Sequence, residues 1–226
     1  MGSVTDDYEK LKNLVQDVDI LISAVDARVL KDQREIFRAA KEVGVQRVIP
    51  CDWATPGARG VRFLTDMVRK SLRFCAYKDR KLTGVLPPLQ KLDIHDYVKE
   101  LGLGYTIIDV GWWSQLYLPL PLRSAVPQHL KDMSWMVYGT GETRNLLTNL
   151  NHIGTWVARI IADPRTLNKY VIIWEDETTQ ENAYELGVRY SGDGEALRAK
   201  RINVSLRRRW SYGFVVRIGT DMPCAT

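Results

Sequence analysis

The sequence has 226 residues, 45% hydrophobic and 26% charged, which is the balance of a soluble globular protein with an ordinary core. No apolar run reaches the ~18 residues that a membrane span needs, and the first seven residues contain neither a basic nor an apolar signal region. Cys51, Cys75 and Cys224 form no CxxC pair, which favours a reducing compartment and argues against a metal site. The sequence therefore predicts a cytoplasmic protein.

The net charge of +5 raises the question of nucleic-acid binding. The excess is local: 68–90 contains six basic and one acidic side chain, and 204–226 contains four basic and one acidic. The rest of the chain is slightly acidic, so we expect neither a nucleic-acid nor a membrane partner.

The first half of the chain alternates helical and strand patterns. Helical spacings alternate with short apolar runs that are typical of strands buried on both faces. In chain order the sequence predicts a helix over 6–17, a strand over 20–25, a helix over 33–43 capped by Gly44, a strand over 47–49, a helix over 93–101 and a strand over 105–110. This alternation predicts a doubly wound α/β sheet with adjacent parallel strands, whose ligands bind at the carboxyl ends of the strands.

Beyond residue 118 the pattern changes. Prolines interrupt regular structure, and a helix over 151–162 and a strand over 170–174 follow. We interpret 119–203 as a smaller substrate-covering region.

Three strand ends are candidate sites. The first is followed by small residues at Ser23-Ala24-Val25, and the second by Cys51-Asp52-Trp53 and a Pro/Gly-rich loop. The third is followed by Val110-Gly111-Trp112-Trp113, which places two aromatic faces beside a glycine. The alternative is that the tryptophans belong to the core and the glycines to turns.

Four segments, 19–25, 39–53, 91–106 and 153–169, resemble NmrA-like and isoflavone reductase-like proteins, the phenylcoumaran benzylic ether reductase type. The four occur in the order of the family and cover most of the chain. The resemblance implies an atypical short-chain dehydrogenase with a Rossmann-like fold. It also implies NADPH as cofactor, with NADH as the alternative, and a small, phenolic or conjugated substrate.

The resemblance assigns roles to individual residues. Lys91 falls at the position of the family's catalytic lysine, and a lysine does proton work near neutral pH only if burial or a nearby cation lowers its pKa. The alternative for Lys91 is a solvated lysine at a helix start. His95 lies four residues further and could share its helix face, but we interpret it as a surface histidine. His152 could face the substrate, cap a helix or pack. The implied cofactor-binding residues are Ser23, Ala24, Val25, Asp52, Trp53, Lys91, Val110 and Gly111, and the implied substrate residues are Trp112, Trp113, Leu116 and Tyr117.

The sequence departs from the family in three places. It lacks the G-x-x-G-x-x-G turn that places a pyrophosphate on a helix N-terminus. We therefore expect an N-terminally truncated, incomplete Rossmann-like domain over 1–118 that binds NADPH very weakly or not at all. Residues 68–90 interrupt the family spacing, and we favour a translated intron over a genuine basic loop. The resemblance ends before 204–226, which we interpret as an aberrant tail.

Three functions remain open from the sequence. The first is an NAD(P)H-dependent reductase. The second is a non-catalytic NmrA-like dinucleotide sensor with a protein partner, and the third is an inactive product of a mis-spliced or truncated gene model.

Overall fold

The computed structural model describes residues 2–53, 87–208 and 214–217. The chain divides into two compact units: Met1–Gly111 with His152–Ile173, and Trp112–Asn151 with Trp174–Thr226.

The elements of the described residues follow in chain order. They are α1 (Tyr8–Val15), β1 (Ile20–Ile22), a 3₁₀ helix (Ala27–Asp32), α2 (Gln33–Val43), β2 (Arg47–Ile49), α3 (Pro87–Glu100), β3 (Gly104–Asp109), β4 (Trp112–Trp113), α4 (Ser114–Tyr117), α5 (Gln128–Ser134), β5 (Met136–Tyr138), β6 (Arg144–Thr148), a 3₁₀ helix (Leu150–His152), α6 (Ile153–Ala162), a 3₁₀ helix (Pro164–Thr166), β7 (Lys169–Ile172), β8 (Asp176–Thr179), α7 (Gln180–Tyr190), α8 (Gly194–Lys200), β9 (Ile202–Arg208) and β10 (Phe214–Arg217).

The first unit contains a four-stranded parallel sheet in the order β1-β2-β3-β7. Leu21 lies opposite Val48, and Val48 lies opposite Tyr105 in the next strand. The three strands predicted in the first half are therefore confirmed as adjacent and parallel. The first is shorter than expected, because it ends at Ile22, although the Ser23 N–H still donates to the Ile49 carbonyl at 2.9 Å.

Capping residues and a proline mark the ends of the helices in this unit. The Asp7 side chain accepts a hydrogen bond from the Lys10 N–H and caps α1. The predicted cap at Gly44 is confirmed: its φ is 87°, and its N–H donates to the Ala40 carbonyl. Helix α3 begins at Pro87, earlier than the predicted residue 93, and proline is well suited to a first helical turn.

The hydrophobic core of this unit lies between α1, α2, α3 and the sheet. The periodicity of the two N-terminal helices directs one apolar face of each inward. The cluster includes Leu11, Val15, Phe37, Ala39, Ala40, Val48, Ile94 and Val98. This packing fixes α3, which carries Lys91, against the sheet.

The fourth strand of the sheet comes from beyond residue 118. Strand β7 pairs in parallel with β3, so that Tyr170 lies opposite Ile107. Residues 152–173 therefore belong to the first unit, whereas the sequence assigned them to the region 119–203. The reason is that a buried parallel strand needs a neighbour, and β3 offers a free edge.

The second unit contains two three-stranded sheets, β4-β6-β8 and β10-β9-β5. A core cluster of Trp135, Val137, Tyr184, Val188 and Leu197 holds it together. The expected aberrant tail enters this unit, since Val204 is buried in β9 opposite Tyr138.

Parts of the two segments that depart from the family lie outside the described residues. They are residues 68–86 of the suspected insertion and residues 209–213 and 218–226 of the tail. Within the described part of the chain, every helix is too short or too polar to span a bilayer.

Candidate functional site

The carboxyl ends of β1 and β2 meet at one edge of the parallel sheet. The indole Nε1 of Trp53 donates to the Ser23 carbonyl at 2.7 Å. The Cys51 thiol donates to the Val25 carbonyl at 3.3 Å. The structure therefore brings together four residues that the resemblance assigned to the cofactor, Ser23, Val25, Asp52 and Trp53, with the exposed Ala24 between the first two.

A buried glutamine fixes the loop after β2. The Gln33 Oε1 accepts the Cys51 N–H at 2.9 Å, while its Nε2 donates to the Leu30 carbonyl at 2.8 Å. Burial raises the pKa of the Cys51 thiol, so this cysteine stays protonated and unreactive. The loop thus presents the next residue, Asp52, in a defined position.

Asp52 and Lys91 form a buried ion pair. The Lys91 Nζ lies 2.8 Å from Asp52 Oδ1, and the two side chains are only 5% and 0% exposed. The second carboxylate oxygen, Oδ2, lies 3.1 Å from His95 Nε2. The carboxylate therefore stands between two nitrogen-bearing side chains that α3 presents on one face at i and i+4.

The burial of His95 shows that its interpretation as a surface residue was wrong. It was expected at the surface, but the residue is 4% exposed and contacts Asp52. The spacing of four residues from Lys91 was the signal that could have placed it in the site, because such residues share one helix face.

The environment of Lys91 differs from the expected one in its charge. For a lysine to transfer protons near neutral pH, burial or a nearby cation was expected around its amine. The structure provides burial, but the neighbouring group is the Asp52 carboxylate and not a cation. The role of Lys91 in proton transfer stays a prediction.

A side-chain hydrogen bond links the carboxyl end of β3 to β7. Asp109 accepts hydrogen bonds from the Gly111 N–H and from the Tyr170 hydroxyl, both at 2.8 Å. The φ of Gly111 is 60°, in the left-handed region, which a residue with a side chain adopts only under strain. Val110, between them, is fully buried. These contacts hold the two remaining predicted cofactor residues, Val110 and Gly111, in one conformation.

Tyr170 is a residue that the sequence analysis did not assign to the site. Burial, reinforced by the negative charge of Asp109, raises the pKa of its hydroxyl. The hydroxyl thus remains a donor to Asp109. Its ring meets the His95 ring edge-on, with 6.4 Å between centroids. Only pairing with β3 brings Tyr170 here, and that pairing has no local sequence signal.

The predicted substrate residues belong to the second unit. The rings of Trp112 and Tyr117 lie 5.9 Å apart, and the Asn145 amide donates to the Tyr117 hydroxyl at 2.8 Å. Burial raises the pKa of Tyr117 to about 12. Trp113 and Leu116 are half-buried in the same segment. Their role in substrate binding stays a prediction.

Two other predictions concern His152 and metals. His152 is exposed at the start of α6, and its side chain does not cap that helix. No group of three or more metal-binding side chains occurs within 2–53, 87–208 and 214–217.

The site fits one end of a dinucleotide. The Ser23 hydroxyl is buried at the carboxyl end of β1 and has no hydrogen-bond partner within the described residues. A buried hydroxyl without a partner is costly, and a polar ligand group at this position would satisfy it. The sequence contains no G-x-x-G-x-x-G turn, and which part of the cofactor these residues would contact stays a prediction.

Known proteins of similar sequence support this assignment. Asnovolin J 5',6'-dehydrogenase of Aspergillus novofumigatus is 32% identical over 190 residues, which cover 82% of this chain and 50% of that protein. Phenylcoumaran benzylic ether reductase Betv6 of Betula pendula is 27% identical over 74% of this chain and 48% of its own length. The homologues of this chain are isoflavone reductase-like proteins. The chain spans about half the length of the curated relatives it matches, and no protein-family model matches it.

Solved structures show the same fold. The structures of pinoresinol-lariciresinol and phenylcoumaran benzylic ether reductases superpose with a TM-score of 0.62 at 19% identity, covering 85% of this chain and 58% of theirs. Isoflavone reductase gives a TM-score of 0.60 at 22% identity, covering 85% of this chain and 57% of its own. The predicted Rossmann-like α/β fold is thus confirmed.

Proposed function

We propose that this chain carries the nicotinamide end and the proton-transfer group of an NADP(H)-dependent oxidoreductase that acts on a small phenolic or conjugated substrate. The proposal is supported by its relatives, which include eugenol synthase 1 of Petunia hybrida and phenylcoumaran benzylic ether reductases. Similar folds include a leucoanthocyanidin reductase bound to NADPH and a reductase with NADP⁺ and (+)-pinoresinol.

The observation that carries the proposal is the buried Lys91–Asp52 pair beside the carboxyl ends of the parallel strands. Burying an ion pair costs several kcal/mol per ion in desolvation, so a fold rarely places one where packing alone is needed. Ligands of open α/β sheets bind at this edge, and groups with unusual charge environments concentrate at functional sites.

In this proposal, different residues bind the cofactor and transfer the proton. Ser23 and Val25 on one side, and Val110 and Gly111 on the other, would hold the nicotinamide ring and its ribose. NADPH, when bound, supplies a hydride to a substrate carbon. The Lys91 ammonium gives the matching proton to the adjacent substrate atom, and Asp52 stabilises the cation before transfer.

The same arrangement serves the reverse reaction. A relative named as a dehydrogenase removes hydrogen from its substrate, whereas relatives named as reductases add it. In the oxidative direction Lys91 would take up the proton that the substrate loses, while bound NADP⁺ would supply the hydride acceptor.

The test compares Lys91→Ala with the wild-type chain, and Lys41→Ala as the matched control. Lys41 lies on α2, where its ammonium donates to the Gly102 carbonyl, away from Asp52. NADPH oxidation is followed with conjugated ketones and phenolic benzylic ethers, and NADPH binding is measured by calorimetry.

We expect Lys91→Ala to lower turnover by about 10²–10⁴-fold, the usual contribution of a positioned acid or base, while the control keeps the wild-type rate. Wild-type rates in Lys91→Ala, or no turnover of any tested class by the wild-type chain, would contradict the proposal. NADPH binding without turnover would instead support the non-catalytic sensor.

A further inference from the structure

The carboxylate of Asp52 makes one contact with each of its oxygens. Oδ1 faces Lys91 Nζ at 2.8 Å, and Oδ2 faces His95 Nε2 at 3.1 Å. Asp52 is fully buried, and the other two side chains are 5% exposed. Water therefore has almost no access to any of the three, and the orientation of the carboxylate is set by its two protein neighbours.

Polar side chains from three elements lie around His95. Asp52 faces it from the loop after β2, and Lys91 shares its face of α3. Tyr170 on β7 meets its ring edge-on, and Asp109 lies behind Tyr170 as the acceptor of that hydroxyl. The first unit thus surrounds the imidazole with one carboxylate in direct contact and one ammonium on the far side of that carboxylate.

We propose that His95 is a positioning residue for Lys91: it holds Oδ2 of Asp52, so that Oδ1 fixes the Lys91 amine at the carboxyl end of the sheet. The inference rests on the proposed role of Lys91. His95 itself touches neither cofactor nor substrate in this account, and it acts only through Asp52.

The physical basis is the rotation of a carboxylate. A carboxylate held at one oxygen keeps more freedom of rotation about its Cβ–Cγ bond than one held at both oxygens. The contacts have ion-pair distances, but no hydrogen bond to Asp52 is aligned within the described residues. Catalytic contacts are often poorly aligned until the reacting complex forms. A small rotation of the carboxylate would align both, provided that the imidazole proton is on Nε2.

The first measurement uses the unaltered chain. The sequence contains only three histidines, His95, His129 and His152, so ¹⁵N-labelled histidine gives a simple NMR spectrum. The exposed His129 and His152 signals are assigned by the variants His129→Gln and His152→Gln. We expect the remaining signal, that of His95, to show a proton on Nε2 that exchanges slowly with water. A bare Nε2, or an Nε2 proton that exchanges as fast as those of the other two histidines, would overturn the proposal.

The second measurement observes Lys91 directly. In a chain labelled with ¹³C and ¹⁵N lysine, Lys91 is identified by the loss of its signal in Lys91→Arg. We expect its ammonium signal to be distinct and slowly exchanging in the wild type. It should move toward the signals of the exposed lysines in His95→Leu, which has no donor, and remain distinct in His95→Gln, whose amide can still donate. His129→Gln, on the exposed face of α5, is the matched control and should change nothing.

The third measurement is turnover. Loss of a supporting partner in an active site typically costs about 10–100-fold, so His95→Leu should lower kcat by that factor with KM nearly constant, and His95→Gln should recover most of it. An unchanged Lys91 signal in His95→Leu would overturn the positioning role. A displaced Lys91 signal with no turnover in the wild-type chain would instead contradict the proposed function alone.

Discussion

Arg47 is a buried cation that connects four parts of the first unit. It belongs to β2, is 6% exposed, and its Nε donates to the Thr106 hydroxyl on β3 at 2.9 Å. Its Nη1 donates to the Ile161 carbonyl at 3.1 Å, and its Nη2 to the Thr166 hydroxyl at 2.5 Å. The carbonyls at the end of α6 have no partner within the helix and carry its negative dipole end, so a guanidinium is well matched to them.

Replacing Arg47 with methionine retains the apolar stem and removes every donor. The hydroxyls keep other partners, because Thr106 and Thr166 each donate to backbone carbonyls. The Ile161 carbonyl loses its charged donor. Hydrogen bonds to a charged group contribute about 1.5–3 kcal/mol each. We expect Arg47→Met to lower the free energy of unfolding by about 3 kcal/mol.

Urea denaturation followed by circular dichroism measures this loss. With a slope of about 2–3 kcal/mol per M for a chain of this size, the midpoint should fall by about 1 M. Arg165→Met is the control, since Arg165 pairs with Asp163 at 2.6 Å but is 87% exposed, and its midpoint should not change. Equal midpoints for Arg47→Met and the wild type would refute the reasoning, because the buried network would then contribute nothing.

Three further predictions concern single sites. Lys91→Met and Asp52→Asn should each destabilise the chain by about 3–5 kcal/mol because each removes one partner of the buried Lys91–Asp52 ion pair. The double variant should be less destabilised than the sum of the two, as a denaturation cycle would measure. Gly104→Ala should destabilise the chain by about 1–3 kcal/mol, since the added Cβ would lie 2.3 Å from the Gln46 carbonyl oxygen. Gly154→Ala, whose Cβ would have nothing within 4 Å, should stabilise it by about 0.5–1 kcal/mol. Equal urea midpoints for the two variants would contradict the packing argument. Burial raises the pKa of Tyr184 from 10.0 to about 12, so the stability that its neutral hydroxyl contributes is complete below pH 10 and is lost as the pH rises through about 12. Tyr184→Phe should weaken this alkaline loss of stability, and an unchanged dependence of the unfolding free energy on pH would show that the hydroxyl is not responsible.

The local features of the fold could be predicted from sequence. The apolar runs that begin at Ile20 and Arg47 form strands, and Gly44 ends α2 with a positive φ. Each of these depends on neighbours within a few residues. Lys91 was assigned by resemblance to a known family, and its catalytic role stays a prediction.

The non-local features could not be predicted. The pairing of β7 with β3 joins residues about sixty positions apart, and no periodicity encodes the order of strands in a sheet. His95 was interpreted as a surface residue because a histidine on a helix is usually solvated. Its burial depends on where the loop after β2 places Asp52, and that loop is fixed in turn by Gln33. Charge pairing of this kind is visible only in three dimensions.

The central claim is that Lys91 lies at the nicotinamide end of a bound NADP(H). The most direct test is to titrate the lysine-labelled chain with NADPH and, separately, with adenosine 2',5'-bisphosphate, which has the adenine end alone. We predict that NADPH shifts the Lys91 ammonium signal and that adenosine 2',5'-bisphosphate does not. A Lys91 signal that NADPH leaves unchanged, or that both compounds shift equally, would contradict the account.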